Sequence, residues 1–202
     1  MNKRIVRDAL ILTAFTLVLG LVLGFVYNLT KEPIAAAELA AAQAAYQQVF
    51  EDADHFAAYE EFDAAEVEQL MADLEFEDEI NDVQVAYDSS ENILGYVITV
   101  TAKDASQDNI TFSVGIQNDG TVNGYSITKI AETPGLGMKV LDEEFMAAFQ
   151  NKLVDQFLVV KAEPVNESEI EAISGATITT DAVANGVNAC IAYFQNILTG
   201  GN

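Results

Sequence analysis

Residues 9–30 run for 22 positions without a charged side chain, ALILTAFTLVLGLVLGFVYNLT. No other feature narrows the fold as much. As a helix this run rises about 33 Å, enough to cross a hydrocarbon core of about 30 Å. Tyr27 stands near one end, where an aromatic at the lipid–water boundary is expected. A cleaved signal peptide shares the basic start. However, the run is longer than a signal core, and the nearest small-x-small site, Ala35-Ala36-Ala37, falls in helix-forming sequence. The expectation is a retained transmembrane helix. The positive-inside rule then puts Lys3, Arg4 and Arg7 in the cytoplasm and the following domain on the extracytoplasmic side of the cytoplasmic membrane.

Charge is distributed unevenly around this run. Residues 1–30 carry Lys3, Arg4 and Arg7 against Asp8, a balance of +2, while the rest carries six Lys against 31 acids, a balance of −25. The net −23 excludes a nucleic-acid binder, which needs a basic face. One Cys and one His exclude an intrachain disulfide, an iron–sulfur cluster, a c-type haem and the usual zinc sites. No metal site and no catalytic residue are expected. The single span has no ionisable residue in its core, so the chain is not expected to pump ions by itself.

The remaining sequence, with half of all residues hydrophobic, suits one domain of ordinary size. Residues 32–50 are Ala-rich and read as a membrane-proximal helix after Pro33. Residues 51–79 hold 13 acids. Val67, Leu70, Met71 and Leu74 recur there at helical spacing, which predicts an amphipathic helix with an acidic outer face. No calcium-loop pattern appears among these acids, and His55 reads as a surface residue.

Strands are expected at 83–87 and 93–101. A half-buried strand is expected where Phe112, Val114 and Ile116 alternate with Thr111, Ser113 and Gly115. Asn118-Asp119-Gly120 predicts a tight turn into a strand at 121–130, completing an antiparallel meander. A helix near 143–150 and a mixed stretch to 167 follow. The last helix carries Val183, Val187, Cys190, Ile191, Phe194, Ile197 and Leu198 on one face and ends at Gly200-Gly201. Cys190 lies on that stripe and reads as a packing thiol.

Two short stretches carry chemistry. AETPGLGMKV, residues 131–140, fixes one backbone angle at Pro134 and removes side chains at Gly135 and Gly137. Such a loop is an ordinary strand-to-helix connection, or lets backbone approach a flat group. EAISGATITTDAVANGV, residues 171–187, crowds hydroxyls around a Gly-Ala pair at a helix mouth. Thr177 and Thr180 read as helix caps there, and the same mouth, with its free N–H groups and dipole, suits a phosphate.

Glu132-Thr133-Pro134-Gly135-Leu136-Gly137, followed some forty residues later by Ser174-Gly175-Ala176-Thr177, resembles the FMN-binding domain family over nearly the whole chain. Within it the chain looks most like the G subunits of Rnf-type ion-translocating electron-transport complexes. The C subunits of sodium-pumping quinone reductases are the near relatives. The resemblance implies an α+β fold: a transmembrane helix, then an FMN-binding domain with an antiparallel sheet and flanking helices. It implies three regions: 1–30 as cytoplasmic N-terminus and anchor, 31–80 as membrane-proximal and acidic helices, and 81–202 as the FMN-binding domain.

It also implies covalent FMN, joined by a phosphoester to Thr177. Ser174, Gly175, Ala176 and Thr180 would lie around the phosphate, and Glu132, Thr133, Gly135, Leu136 and Gly137 along the flavin. Lys139 is either a phosphate partner or a plain surface lysine. The implied partners are a magnesium-dependent flavin transferase using FAD and the other membrane subunits of a complex coupling ferredoxin:NAD electron flow to ion transport. In such a translocase this subunit relays electrons and has little activity alone.

Glu171 stands where the family usually has Asp, and Ile130-Ala131 where a His often precedes the Glu-Thr-Pro run. Two other readings compete. One is a pilin-like or binding module without redox chemistry, although the Glu of a pilin start is missing after Phe15-Thr16-Leu17. The other is a stand-alone extracytoplasmic flavoprotein reductase.

Overall fold

The computed structural model describes residues 3–200. Gly201, expected to share in ending the last helix, lies outside the described residues. Contacts divide the chain between Ala41 and Ala42. Among the described residues the first unit is helical throughout. Its helix α1, Lys3–Val49, runs through Pro33 without a break and ends inside the second unit. No new start occurs at Pro33: the helix continues through it despite the lost N–H donor and the crowding of its ring against the preceding turn. Part of α1 is long and apolar enough to cross a membrane.

The second unit is built on a five-stranded antiparallel meander in sequential order: β1 His55–Ala58, β2 Glu79–Tyr87, β3 Ile93–Ala102, β4 Ile110–Gln117 and β5 Val122–Lys129. Thus β1 replaces helix or coil in the acidic stretch. It is a four-residue edge strand, too short to show a period of its own and half exposed, so its pairing with β2 forms it. His55 stacks on Tyr87 with ring centroids 5.1 Å apart. The acidic helix, α2 Ala64–Asp73, is capped by Asp63, whose carboxylate accepts from Ala65 N at 2.9 Å. It buries Val67 and Met71. Leu74 falls just past its end and is exposed, so it does not extend the apolar stripe.

Both faces of the sheet are covered. One meets α3 Glu143–Ala147 and α4 Thr177–Tyr193, with Val183, Val187 and Cys190 packed beside Ile98, Val100, Phe112, Val114 and Ile116. Burial holds the Cys190 thiol well above its usual range, as suits a packing residue. The other face takes Val49, Phe50 and Ala53 against Ala86 and Val97. Asn123 Nδ2 donates to Val49 O at 2.9 Å and Ser126 Oγ to Gln48 Oε1 at 2.7 Å, fastening the end of α1 there. The alternation in β4 holds, but the strand is buried on both faces: Ser113 and Gly115 lie under this seam.

The mixed stretch resolves into a parallel pair, β6 Leu158–Val160 and β7 Glu169–Glu171. It is clamped to α4 by Asn188, which accepts from Phe157 N at 2.7 Å and donates to Phe157 O at 2.9 Å. After α4 the chain widens into a π turn, Phe194–Leu198, and Gly200 follows at φ 74°. The Asn-Asp-Gly turn forms as expected, with Gly120 N donating to Gln117 O at 2.9 Å.

This packing can be tested at two positions. A Cβ at Gly115 would lie 2.8 Å from Val49 O and 2.9 Å from Val49 Cβ. Gly115→Ala in the full-length chain is expected to cost about 1–3 kcal/mol and lower the melting temperature, and an unchanged melt contradicts the seam. Asp78 is only 6% exposed, and its Oδ1 has no donor. Burial first, and the negative Asp104 second, push its pKa up to about 7. The folded value lies above the unfolded one, so its stabilising share is full below about pH 4 and is lost as pH rises through 7. Asp78→Asn is therefore expected to be more stable than wild type at pH 8 by about 1–3 kcal/mol, and equal to it near pH 4. A gain of the same size at both pH values contradicts this origin.

Candidate functional site

The strand-to-helix loop after β5 and the mouth of α4 meet at one cleft. Pro134 and Gly135 turn the loop: Leu136 N and Met138 N both donate to Thr133 O, at 3.1 and 3.3 Å, and Gly135 sits at φ 76°. A short 3₁₀ turn, Gly137–Leu141, continues it. Tyr125 OH fixes this turn from the core by donating to Val140 O at 2.6 Å. Leu136 remains 43% exposed at the cleft edge.

At the helix mouth, Gly175 turns the chain at φ 80° and Ala176 occupies the N-cap without a side-chain hydrogen bond. Thr177 is thus the first helical residue and not the cap that propensity suggests. The N–H groups of the first helical turn have no intrahelical acceptor, so the mouth keeps donors and the positive end of the dipole. Thr180 is fully buried. Its hydroxyl accepts from Ile173 N at 3.1 Å and donates to Ala176 O at 3.0 Å, so it tightens the mouth from the core side.

The cleft, of about 440 Å³, brings together Glu132, Thr133, Leu136, Gly137, Gly175, Ala176 and Thr177 from the expected set. Ser174 lies instead in a neighbouring cleft with Lys139 and Glu171. Gly135 shapes the loop with nothing within 4 Å of where a Cβ would stand. Ser106, Gln107, Ile178 and Thr179 also line the Thr177 cleft; of these the sequence marks only Thr179, as one of the hydroxyls at the helix mouth and without a place in the site.

Glu132 joins the three cleft-forming segments. It accepts from Gln107 N at 3.0 Å and from Thr179 Oγ1 at 3.2 Å, while Gly137 leaves the space in which this bond forms. Thr179 had a local signal, a hydroxyl two positions after Thr177. Gln107 had none, because only the fold brings the loop between β3 and β4 alongside.

Comparison with known proteins matches residues 1–49 to an RnfG N-terminal region and residues 106–192 to an FMN-binding domain. The chain is 32% identical over 145 residues to the G subunit of the Na(+)-translocating ferredoxin:NAD(+) oxidoreductase complex of Acetobacterium woodii, covering 69% of this chain and 68% of that one. It is 35% identical to the G subunit of the ion-translocating oxidoreductase complex of Methanosarcina acetivorans, covering 59% of this chain and 63% of that protein. It is 39% identical to the G subunit of a proton-translocating ferredoxin:NAD(+) oxidoreductase complex of Clostridium ljungdahlii, over 41% of this chain and 44% of the relative. The chain therefore spans between under half and about two thirds of the length of these relatives. Among solved structures, Shewanella oneidensis NqrC aligns with a TM-score of 0.49 at 20% identity, over 58% of this chain and 59% of that chain. With two thirds of one such relative matched at this identity, and both family segments on one polypeptide, the chain belongs to the FMN-binding domain family of Rnf-type complex G subunits.

Proposed function

We propose that this chain is a membrane-anchored electron carrier that holds FMN covalently at Thr177 and passes electrons between other subunits of an ion-translocating oxidoreductase. One observation carries the reading: a partly exposed threonine opens an uncapped helix mouth in the wall of a cleft large enough for a nucleotide cofactor. In this reading residues 1–30 are the cytoplasmic start and anchor, 31–80 the membrane-proximal part, and 81–202 the FMN-binding portion. The domain then lies on the extracytoplasmic side.

Each residue has a task on this account. The N–H groups at the mouth, with Gly175 and Ala176 leaving room, receive a phosphate. Thr177 Oγ1 forms the bond to phosphorus. With FAD as donor the bond to AMP breaks, AMP departs, and the hydroxyl proton leaves with the transferase's base. Leu136 offers an apolar surface to the ring, and Thr133 and Glu132 line the same cleft. Ser174, Lys139 and Glu171, in the adjoining cleft, are a surface that the transferase would approach. The bound flavin supplies the electron-carrying chemistry that no side chain of this sequence can supply. A covalent link suits a domain outside the cytoplasm, where a released cofactor would be lost.

Co-expression of the full chain with a flavin transferase tests the reading. After denaturing electrophoresis, flavin fluorescence is expected on the wild-type band and absent from Thr177→Ala and from a Thr177→Val control. Fluorescence that persists in both variants moves the attachment elsewhere, and a dark wild-type band removes the carrier altogether.

A further inference from the structure

One wall of the Thr177 cleft holds a buried carboxylate with no cation beside it. Glu132 is 6% exposed. Its two oxygens are engaged by neutral donors only, Gln107 N at 3.0 Å and the Thr179 hydroxyl at 3.2 Å. Among the described residues the ion pairs involve other acids and none reaches Glu132. Its position is also fixed sterically: a Cβ on Gly137 would stand 2.6 Å from Oε2 and 2.8 Å from Thr179 Oγ1. Glycine at 137 lets the loop close over the Glu132–Thr179 bond and leaves the side chain no room to swing away on that side.

A charge in such surroundings is felt strongly by its neighbours, because the local dielectric is low and solvent does not screen it. Whatever occupies the cleft and gains electrons there gains negative charge close to this carboxylate. We propose that Glu132 holds down the reduction potential of the flavin bound in this cleft, acting through its charge, while its two hydrogen bonds keep the cleft wall in shape. This inference rests on the reading of the cleft as the flavin site. Glu132 is thereby a tuning and positioning residue. It acts on the reaction's electrostatics without taking part in bond changes.

Glu132→Gln separates charge from shape. The amide oxygen still accepts from Gln107 N, and the amide NH₂ donates to Thr179 Oγ1, whose hydroxyl turns to accept. The full-length flavinylated protein in detergent is titrated with dithionite and mediator dyes, with absorbance followed at the flavin bands. Dithionite is oxidised to sulfite and supplies two electrons per flavin, and water supplies the protons. Glu132→Gln is expected to shift the reduction equilibrium at least tenfold toward the reduced flavin, a rise of about 30 mV for a two-electron couple. Glu132→Asp and Thr179→Val, which keep the charge, are expected not to raise it.

A purely structural role lowers the melting temperature and flavin load without moving the potential of the molecules that remain loaded. An unmoved potential in Glu132→Gln overturns the proposal. So does a Glu132→Gln protein that takes up no flavin while Glu132→Asp does, since the carboxylate then serves assembly. A wild-type chain without flavin removes the site reading and this inference together. A flavinylated wild type with an unmoved Glu132→Gln removes this inference alone.

Discussion

The seat of α4 on the sheet is the contact on which the rest depends. Gly186 lies so close to the ring of Phe112 that a Cβ would stand 2.5 Å from Phe112 Cζ. This close approach seats Val183, Val187 and Cys190 in the core. The same helix offers Asn188 to the Phe157 backbone and Asn185 to Asp104 at 2.8 Å, so both flanking loops take their position from it. A helix anchored along its whole apolar face presents its first turn rigidly. Rigid backbone donors are what an anionic ligand requires, since no ordering cost remains at binding.

The second structural demand is that the sheet has no free face. The end of α1 closes the side away from α4, and Gly95 and Gly115 remove the side chains that would keep it off. Acidic side chains are then left to the rim, where water solvates them. Asp78 breaks that pattern, since it is buried beside a second carboxylate. A chain with 32 acids and 9 basic residues has few cations with which to neutralise such a group. Glu132 is held by neutral donors in the same cation-poor setting.

Much of this is legible in the sequence, for identifiable reasons. The apolar run of 22 residues, the alternation of β4 and the stripe of α4 are periodic or continuous, and such patterning is what a single sequence displays. Family membership is legible because two unusual stretches, one rich in glycine and one in hydroxyls, occur together. Less is legible where tertiary contact decides. β1 forms because β2 offers it an edge, and Ser113 is buried because a helix end from elsewhere lies over it. Capping propensity points to Thr177 and Thr180. The chain instead starts the helix at Thr177 and turns Thr180 inward, because the Gly175 turn delivers Ala176 to the cap. The link from Gln107 through Glu132 to Thr179 joins three segments far apart in sequence, and nothing local announces it.

At the centre of the proposed function, a threonine hydroxyl at a rigid, uncapped helix mouth is esterified to a flavin nucleotide. The most direct measurement is the intact mass of the full chain purified from its own host, followed by fragmentation of the segment that contains Thr177. The expected mass exceeds that of the polypeptide by one FMN less one water, with the addition retained on Thr177. A mass equal to that of the amino acids alone, or an addition on any other residue, contradicts it.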